Sequence, residues 1–278
     1  MDITSYLLWK NAGGGGTTPV YQDKEVSITQ NGTSTITKDS GYDALNSVAL
    51  TVNVPAGATK IYNGTTFYTS TFTTAPTFDT SEMTDMTQLF WSCSNLVTIP
   101  VLNTSNVTRL ESTFYECTSL KNIPQLDLSK VTYFVNTFSG CGLEEIDFSN
   151  TSFASGITTF NSTFFNCTSL EEVNLETLGT CTGANFNTAG MFNYCPSLKK
   201  INLSNFNATT WATANNMFRN CTSLEELDIS NISTTPNSKQ NMFENVPANC
   251  LIYVKDQSMK DWFTTNFPSL TNVVIKGA

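Results

Sequence analysis

The run Met217-Phe218-Arg219-Asn220-Cys221-Thr222-Ser223-Leu224-Glu225-Glu226-Leu227-Asp228-Ile229-Ser230-Asn231 is one copy of a pattern that the chain repeats. Its core, Phe-x-x-Cys, occurs at Phe90/Cys93, Phe114/Cys117, Phe138/Cys141, Phe164/Cys167, Phe192/Cys195 and Phe218/Cys221, each followed by a leucine two or three residues later. A fixed period of this size marks a solenoid, in which each repeat is one coil and stacking neighbours builds the core.

Working backward from the phenylalanines, apolar residues fall at helical spacing: Met83, Met86 and Phe90; Val107, Leu110 and Phe114; Val131, Phe134 and Phe138; Ile157, Phe160 and Phe164. With the cysteine three residues on, this predicts one stripe of a short helix per coil. Forward from the cysteines the spacing changes, as in Leu170, Val173 and Leu175 or Leu224, Leu227 and Ile229, and predicts a short strand stacked in parallel on the next. Strands stack at about 4.8 Å and helices at roughly 8 to 10 Å, so the expected fold is a curved α/β solenoid, parallel strands inside and short helices outside. After each strand comes Asp or Asn, then often Ser: Asp79, Asn103, Asp127, Asp147, Asn174, Asn202 and Asp228. These are expected to bond turn amides, with the serines capping the following helices.

The repeated segments quoted above resemble BspA-type leucine-rich repeats, a family of surface and adhesion modules of bacteria and their phages. The resemblance covers residues from about 73 to the C-terminus, and the closing stretch Val246 to Asp256, with Trp262, Phe267-Pro268 and Leu270 to Ile275, resembles the usual end of such arrays. Val246 stands where the repeat has Cys, as befits a terminal cap. The expected organisation is a docking helix and glycine linker over 1–19, a small β module over 20–72, the repeats over 73–245 and a cap over 246–278.

The front end does not follow the repeat. Ile3, Tyr6, Leu7, Leu8 and Trp9 have helical spacing and precede Gly13-Gly14-Gly15-Gly16, which reads as a docking peptide on a flexible joint. Val26, Ile28, Asn31-Gly32, Thr35 and Thr37 predict a hairpin, and Val48, Leu50, Val52 and Val54 a further strand. Met1 to Leu8, the glycine run, Asp23 to Thr33 and Gly41-Tyr42-Asp43-Ala44-Leu45 resemble the amino-terminal region of minor structural proteins of tailed phages, with Trp9 and Lys10 as departures. That resemblance implies a fibre, baseplate or head-decoration protein held to other virion proteins by its front end, located on the virion exterior and displaying its solenoid to a host surface glycan or protein. The alternative is a bacterial cell-surface adhesin. A homotrimer is the expectation for a fibre or spike.

Composition narrows the function classes. The net charge is −9 and Arg109 and Arg219 are the only arginines, which excludes the basic footprint of nucleic-acid binding. No run reaches the length that spans a bilayer, so no membrane insertion is expected, and the opening residues lack the basic start and apolar stretch of a secretory signal. The expected route out of the cell is lysis rather than signal-peptide export. With no histidine, neither a serine triad nor a common zinc site is available.

Eight cysteines leave buried thiols, disulfides and metal ligands as readings, and the constant phase of six of them on an apolar stripe favours buried thiols. The pairs Glu144-Glu145, Glu171-Glu172 and Glu225-Glu226 recur at the repeat period and read as a solvated strand face rather than a catalytic dyad. No catalytic, cofactor or metal residue is assigned. The candidate contact face is the strand positions Thr98, Asn122, Glu145, Glu172, Lys200 and Glu226, with Asp147, Asn174, Asn202 and Asp228 beyond them.

Overall fold

The computed structural model describes residues 25–27, 35–36, 51–53, 60–61, 73–75, 77–78 and 80–277. The chain is a parallel leucine-rich-repeat solenoid. Its main sheet has six strands, β6 (Glu145–Asp147), β7 (Glu172–Asn174), β10 (Lys200–Asn202), β13 (Glu226–Asp228), β14 (Leu251–Val254) and β15 (Val273–Ile275), in that spatial order. The register is kept to the residue from coil to coil: Ile146 faces Val173, Val173 faces Ile201, Ile201 faces Leu227 and Leu227 faces Ile252. Because side chains alternate across a strand, these five are buried while Glu145, Glu172 and Lys200 are exposed. Smaller parallel pairs, β8 (Thr180–Cys181) with β11 (Asn207–Ala208) and β9 (Phe186–Asn187) with β12 (Trp211–Thr213), and single bridges such as Asp85–Arg109–Tyr133–Thr159–Asn187, join the coils elsewhere.

The outer helices expected from the spacing do not form. Each Phe-x-x-Cys segment is a run of turns flanked by two left-handed residues, two positions before and two after the phenylalanine: Gln88 and Ser92, Ser112 and Glu116, Asn136 and Gly140, Ser162 and Asn166, Gly190 and Tyr194, Asn216 and Asn220, Asn241 and Asn245. This reversal turns alternate backbone N–H groups along the solenoid axis. Phe114, Phe138, Phe164, Phe192 and Phe218 each donate to a carbonyl one coil on, at 2.8 to 2.9 Å, and Glu116, Gly140, Asn166, Tyr194 and Asn220 do the same at 2.7 to 2.9 Å. The intervening N–H groups, Cys117 to Phe114 among them, close local turns. A helix would direct every N–H along its own axis and leave none for the neighbouring coil.

The phenylalanines therefore stack. Phe90, Phe114, Phe138, Phe164, Phe192, Phe218 and Phe243 form a column with ring centroids 5.1 to 5.8 Å apart and planes within 23° of parallel. This separation replaces the expected 8 to 10 Å, so no fan of helices opens the outer side. Phe134 and Phe160 (4.8 Å), Phe186, Phe206 and Trp211 form a second aromatic cluster inside the coils. Close stacking also dictates glycine where backbones touch: a Cβ on Gly142 would lie 2.1 Å from the Thr118 carbonyl oxygen, and one on Gly183 2.2 Å from that of Ile157.

The same step governs the described portion of the front end. β1 (Glu25–Ser27) pairs in parallel with β3 (Thr51–Asn53), β3 with β5 (Thr77–Phe78), and β2 (Thr35–Ile36) with β4 (Lys60–Ile61). Each pairing advances by about one repeat, and β3 to β5 crosses residue 72. β1 and β2, which flank the hairpin expected at Asn31-Gly32, do not pair with each other but lie in different sheets, and Asn31-Gly32 itself lies outside the described residues. At the other end α1 (Gln257–Asn266), capped by the Asp256 carboxylate on the Met259 N–H (3.0 Å), lays Met259 and Phe263 over the last coil. Phe263 meets Phe243 edge-on at 5.7 Å.

Truncating a central ring of the column, Phe164→Ala, is expected to lower stability by about 3 to 5 kcal/mol, read from denaturant midpoints. At the left-handed position Asn166, Val should cost about 1 to 2 kcal/mol, whereas Gly should leave the midpoint near that of the parent.

Candidate functional site

Four side-chain columns run along the solenoid, and they differ in what their polar groups are bound to. The thiol column lies wholly inside. Cys117, Cys141, Cys167, Cys195 and Cys221 are buried and unpaired, and each Sγ–H points at the carbonyl of the phenylalanine one coil back, at 2.9 to 3.1 Å. Burial pushes the Cys167, Cys181, Cys221 and Cys250 thiols up to about 12, and Cys141 and Cys195 upward as well. Such thiols are poor nucleophiles and poor metal ligands. Among the described residues no group of three or more His, Cys, Asp and Glu is placed to hold a metal ion.

The Asx column is committed to turns. Asn103, Asp127, Asp147, Asn174, Asn202 and Asp228 each accept through Oδ1 from the N–H two residues on, at 2.9 to 3.2 Å. Bonds from Ser129 hold the Asp127 carboxyl below the usual carboxylate range. Serines supply the N–H of five of these turns and Glu176 that of the sixth; the serines cap no helix. Asp228 is only 8% exposed and also pairs with Lys276, so it is withdrawn from the surface where the sequence reading put it. Asn174 and Asn202 are half-buried.

Before the strands, Lys121 pairs with Glu144 (2.8 Å) and Lys199 with Glu171 (2.5 Å), both pairs exposed. Exposed pairs of this kind add little stability, but they neutralise one member of the pairs Glu144-Glu145 and Glu171-Glu172.

The remaining column is Glu145, Glu172, Lys200 and Glu226, in register across β6, β7, β10 and β13. The side chains of these four make no hydrogen bond or ion pair with another described residue. Thr98 is exposed and bonded to Thr74, and exposed Asn122 lies before the sheet begins. Ile3, Tyr6, Leu7, Leu8 and Trp9 lie outside the described residues.

The sheet starts at β6, and a depression lies on its N-terminal side that the sequence reading did not single out. A smaller lobe, about 260 Å³, is lined by Asn122 to Gln125, Glu145 to Phe148, Asn150 and Thr151; a larger one, about 730 Å³, by Val101 to Ser105, Gln125 to Asp127, Ser129 and Asn150 to Ser152. Its signal in the sequence is the repeated Ile99-Pro100 and Ile123-Pro124, since proline has no N–H to continue a ladder.

These features define a leucine-rich-repeat solenoid whose sheet presents a polar face. The family model "BspA type Leucine rich repeat region" matches residues 136–262 in six copies, so the chain carries repeats of this type. Residues 60–173 match a family described as "Mycoplasma protein of unknown function, DUF285". No curated protein matches the chain significantly. Similar solved structures are a leucine-rich repeat protein from Bacteroides ovatus ATCC 8483 and a leucine rich cell surface protein from Faecalibacterium prausnitzii A2-165. The first is 18% identical with a TM-score of 0.30, over 89% of this chain and 73% of that one. The second is 17% identical with a TM-score of 0.33, over 92% of this chain and 88% of that one. No helix among the described residues is long and apolar enough to cross a membrane.

The thiol column carries a pH prediction. A thiol whose folded value is raised from the ordinary 9.0 to about 12 stabilises the fold fully below pH 9. Above that the unfolded chain loses protons that the folded chain keeps, so stability falls as pH rises toward 12. Denaturant midpoints are expected to hold level up to about pH 8 and decline beyond pH 9. Alkylation of these cysteines at pH 8 should proceed only at the rate of unfolding.

Proposed function

We propose that the chain is a non-enzymatic adhesion module whose sheet face contacts a glycan or protein on another surface. The observation that carries this reading is the uncommitted column Glu145, Glu172, Lys200 and Glu226. Every neighbouring column is bound into turns, ion pairs or the core, whereas these charges are held in rigid register and bonded to nothing in the described fold. A rigid sheet that presents side chains at one per coil gives a partner a fixed template without ordering cost on its own side. Display on a bacterial cell surface accords with the BspA-type repeats.

A tailed-phage virion is the second carrier, resting on the resemblance of residues 1–45; the matching family models start at residue 60 and lend it no support. Immunogold labelling separates the two, with label on intact cells for the first and on purified virions for the second.

For the contact itself, beads coated with the full chain should adhere to a panel of bacterial and epithelial cells. The triple variant Glu145→Lys, Glu172→Lys, Lys200→Glu is expected to reduce adhesion at least fivefold with an unchanged unfolding midpoint. Undiminished adhesion would remove this column from the contact.

A further inference from the structure

We infer that the depression beside β6 is a binding site for an unbranched, uncharged oligosaccharide laid along the solenoid axis. This deepens the adhesion reading and rests on it. The two lobes of the depression share Gln125, Asn150 and Thr151, so they form one continuous trough over three successive coils. Its cause is local: Pro124 interrupts the strand that would extend the sheet, and among the described residues no backbone hydrogen bond joins 122–126 to 145–148.

The lining selects the ligand by charge and by hydrogen-bond type. Asn103, Asp127, Asp147 and Asn150 face it with several Ser and Thr hydroxyls, Gln125 Nε2 being bound to the Asn150 carbonyl at 3.0 Å, and neither Lys nor Arg lines either lobe. Three carboxylates, Asp127, Asp147 and Glu145, line it, and Lys130, which lies near Asp127 but outside the lining, is bound to Asn106. The surplus negative charge repels uronic, sialic and sulfated sugars, and the carboxylates accept hydrogen bonds from neutral hydroxyls. The Oδ1 atoms of Asn103 and Asp127 are held by their turns, which fixes each side chain and leaves its second polar atom for a ligand. Val101, 81% exposed, and Pro124 offer apolar surface to the C–H face of a sugar ring. Equivalent groups recur once per coil, a step of about 4.8 Å that is close to the advance of one hexose in an extended chain.

The test is titration calorimetry of the full chain with unbranched glucose and N-acetylglucosamine oligomers from dimer to hexamer. Oligogalacturonate and a lysine-rich peptide serve as comparison probes. Affinity for one neutral series is expected to rise with each added ring and level off after about three, one per coil. Val101→Arg and Ser152→Trp, both at exposed positions, are expected to weaken binding at least tenfold with unchanged unfolding midpoints, while Ser223→Trp, outside the trough, changes nothing.

Neutral-sugar binding that both variants retain would overturn the site. Preference for the uronate or for the peptide would overturn the ligand class, and binding of no probe would overturn both. Cell adhesion that persists in Val101→Arg and Ser152→Trp while no sugar binds leaves the adhesion reading standing and ends this inference. Sugar binding without any cell adhesion does the reverse.

Discussion

The structure depends on backbone hydrogen bonds that run from coil to coil on the side opposite the sheet. They exist because two residues per coil adopt the left-handed conformation around each stacked phenylalanine, which turns alternate N–H groups out of the coil and onto the next. Without that reversal the outer segment would form its own helix, the coils would separate there, and the thiols, rings and leucines could not stack at strand spacing. Everything inside is fitted to this constraint: flat rings that stack in parallel, thiols small enough to sit beneath a carbonyl, and glycine at Gly142 and Gly183 where adjoining backbones meet.

Much of this was legible in the sequence, and what was not has a physical reason. The period, the inward strand residues and the Asx turns follow from patterns that depend only on spacing and on local side-chain chemistry. The outer helices were misread because apolar residues at i, i+3 and i+7 also describe stacked turns that bury one side. The deciding signal was polar rather than apolar. Positions two before and two after each phenylalanine are occupied by Asn, Gly, Ser, Gln, Glu and Tyr; the asparagines and glycines among them are the residues that enter left-handed backbone at least cost. In the front end Val26 belongs to a strand whose partner lies about one repeat away, as the register of Glu25 with Thr51 shows, a long-range pairing that a local turn signal such as Asn31-Gly32 does not report. Of the candidate positions, Glu145, Glu172 and Lys200 are exposed, as alternation along a strand leads one to expect. Asp228 is buried, and its partner Lys276 comes from the cap, far away in sequence.

The division of labour among the columns explains how such a protein can acquire function without losing its fold. Asx side chains and thiols are fixed by backbone partners in every coil, so the pattern tolerates few residue types there. The strand column in front of them has no such partners and can vary freely. Pro124 shows a second route to variety: where it stands the ladder stops and a depression lies, while the phenylalanine turns keep the same coils bonded.

The stacking direction has a mechanical consequence. The hydrogen bonds between coils lie along the solenoid axis, so a pull between the two ends loads them in series, and the coils detach singly rather than together. Each detachment releases one repeat of 24 to 28 residues, roughly 80 to 90 Å of chain at full extension. Tension along the axis is therefore met by stepwise lengthening, one coil at a time, rather than by a single rupture.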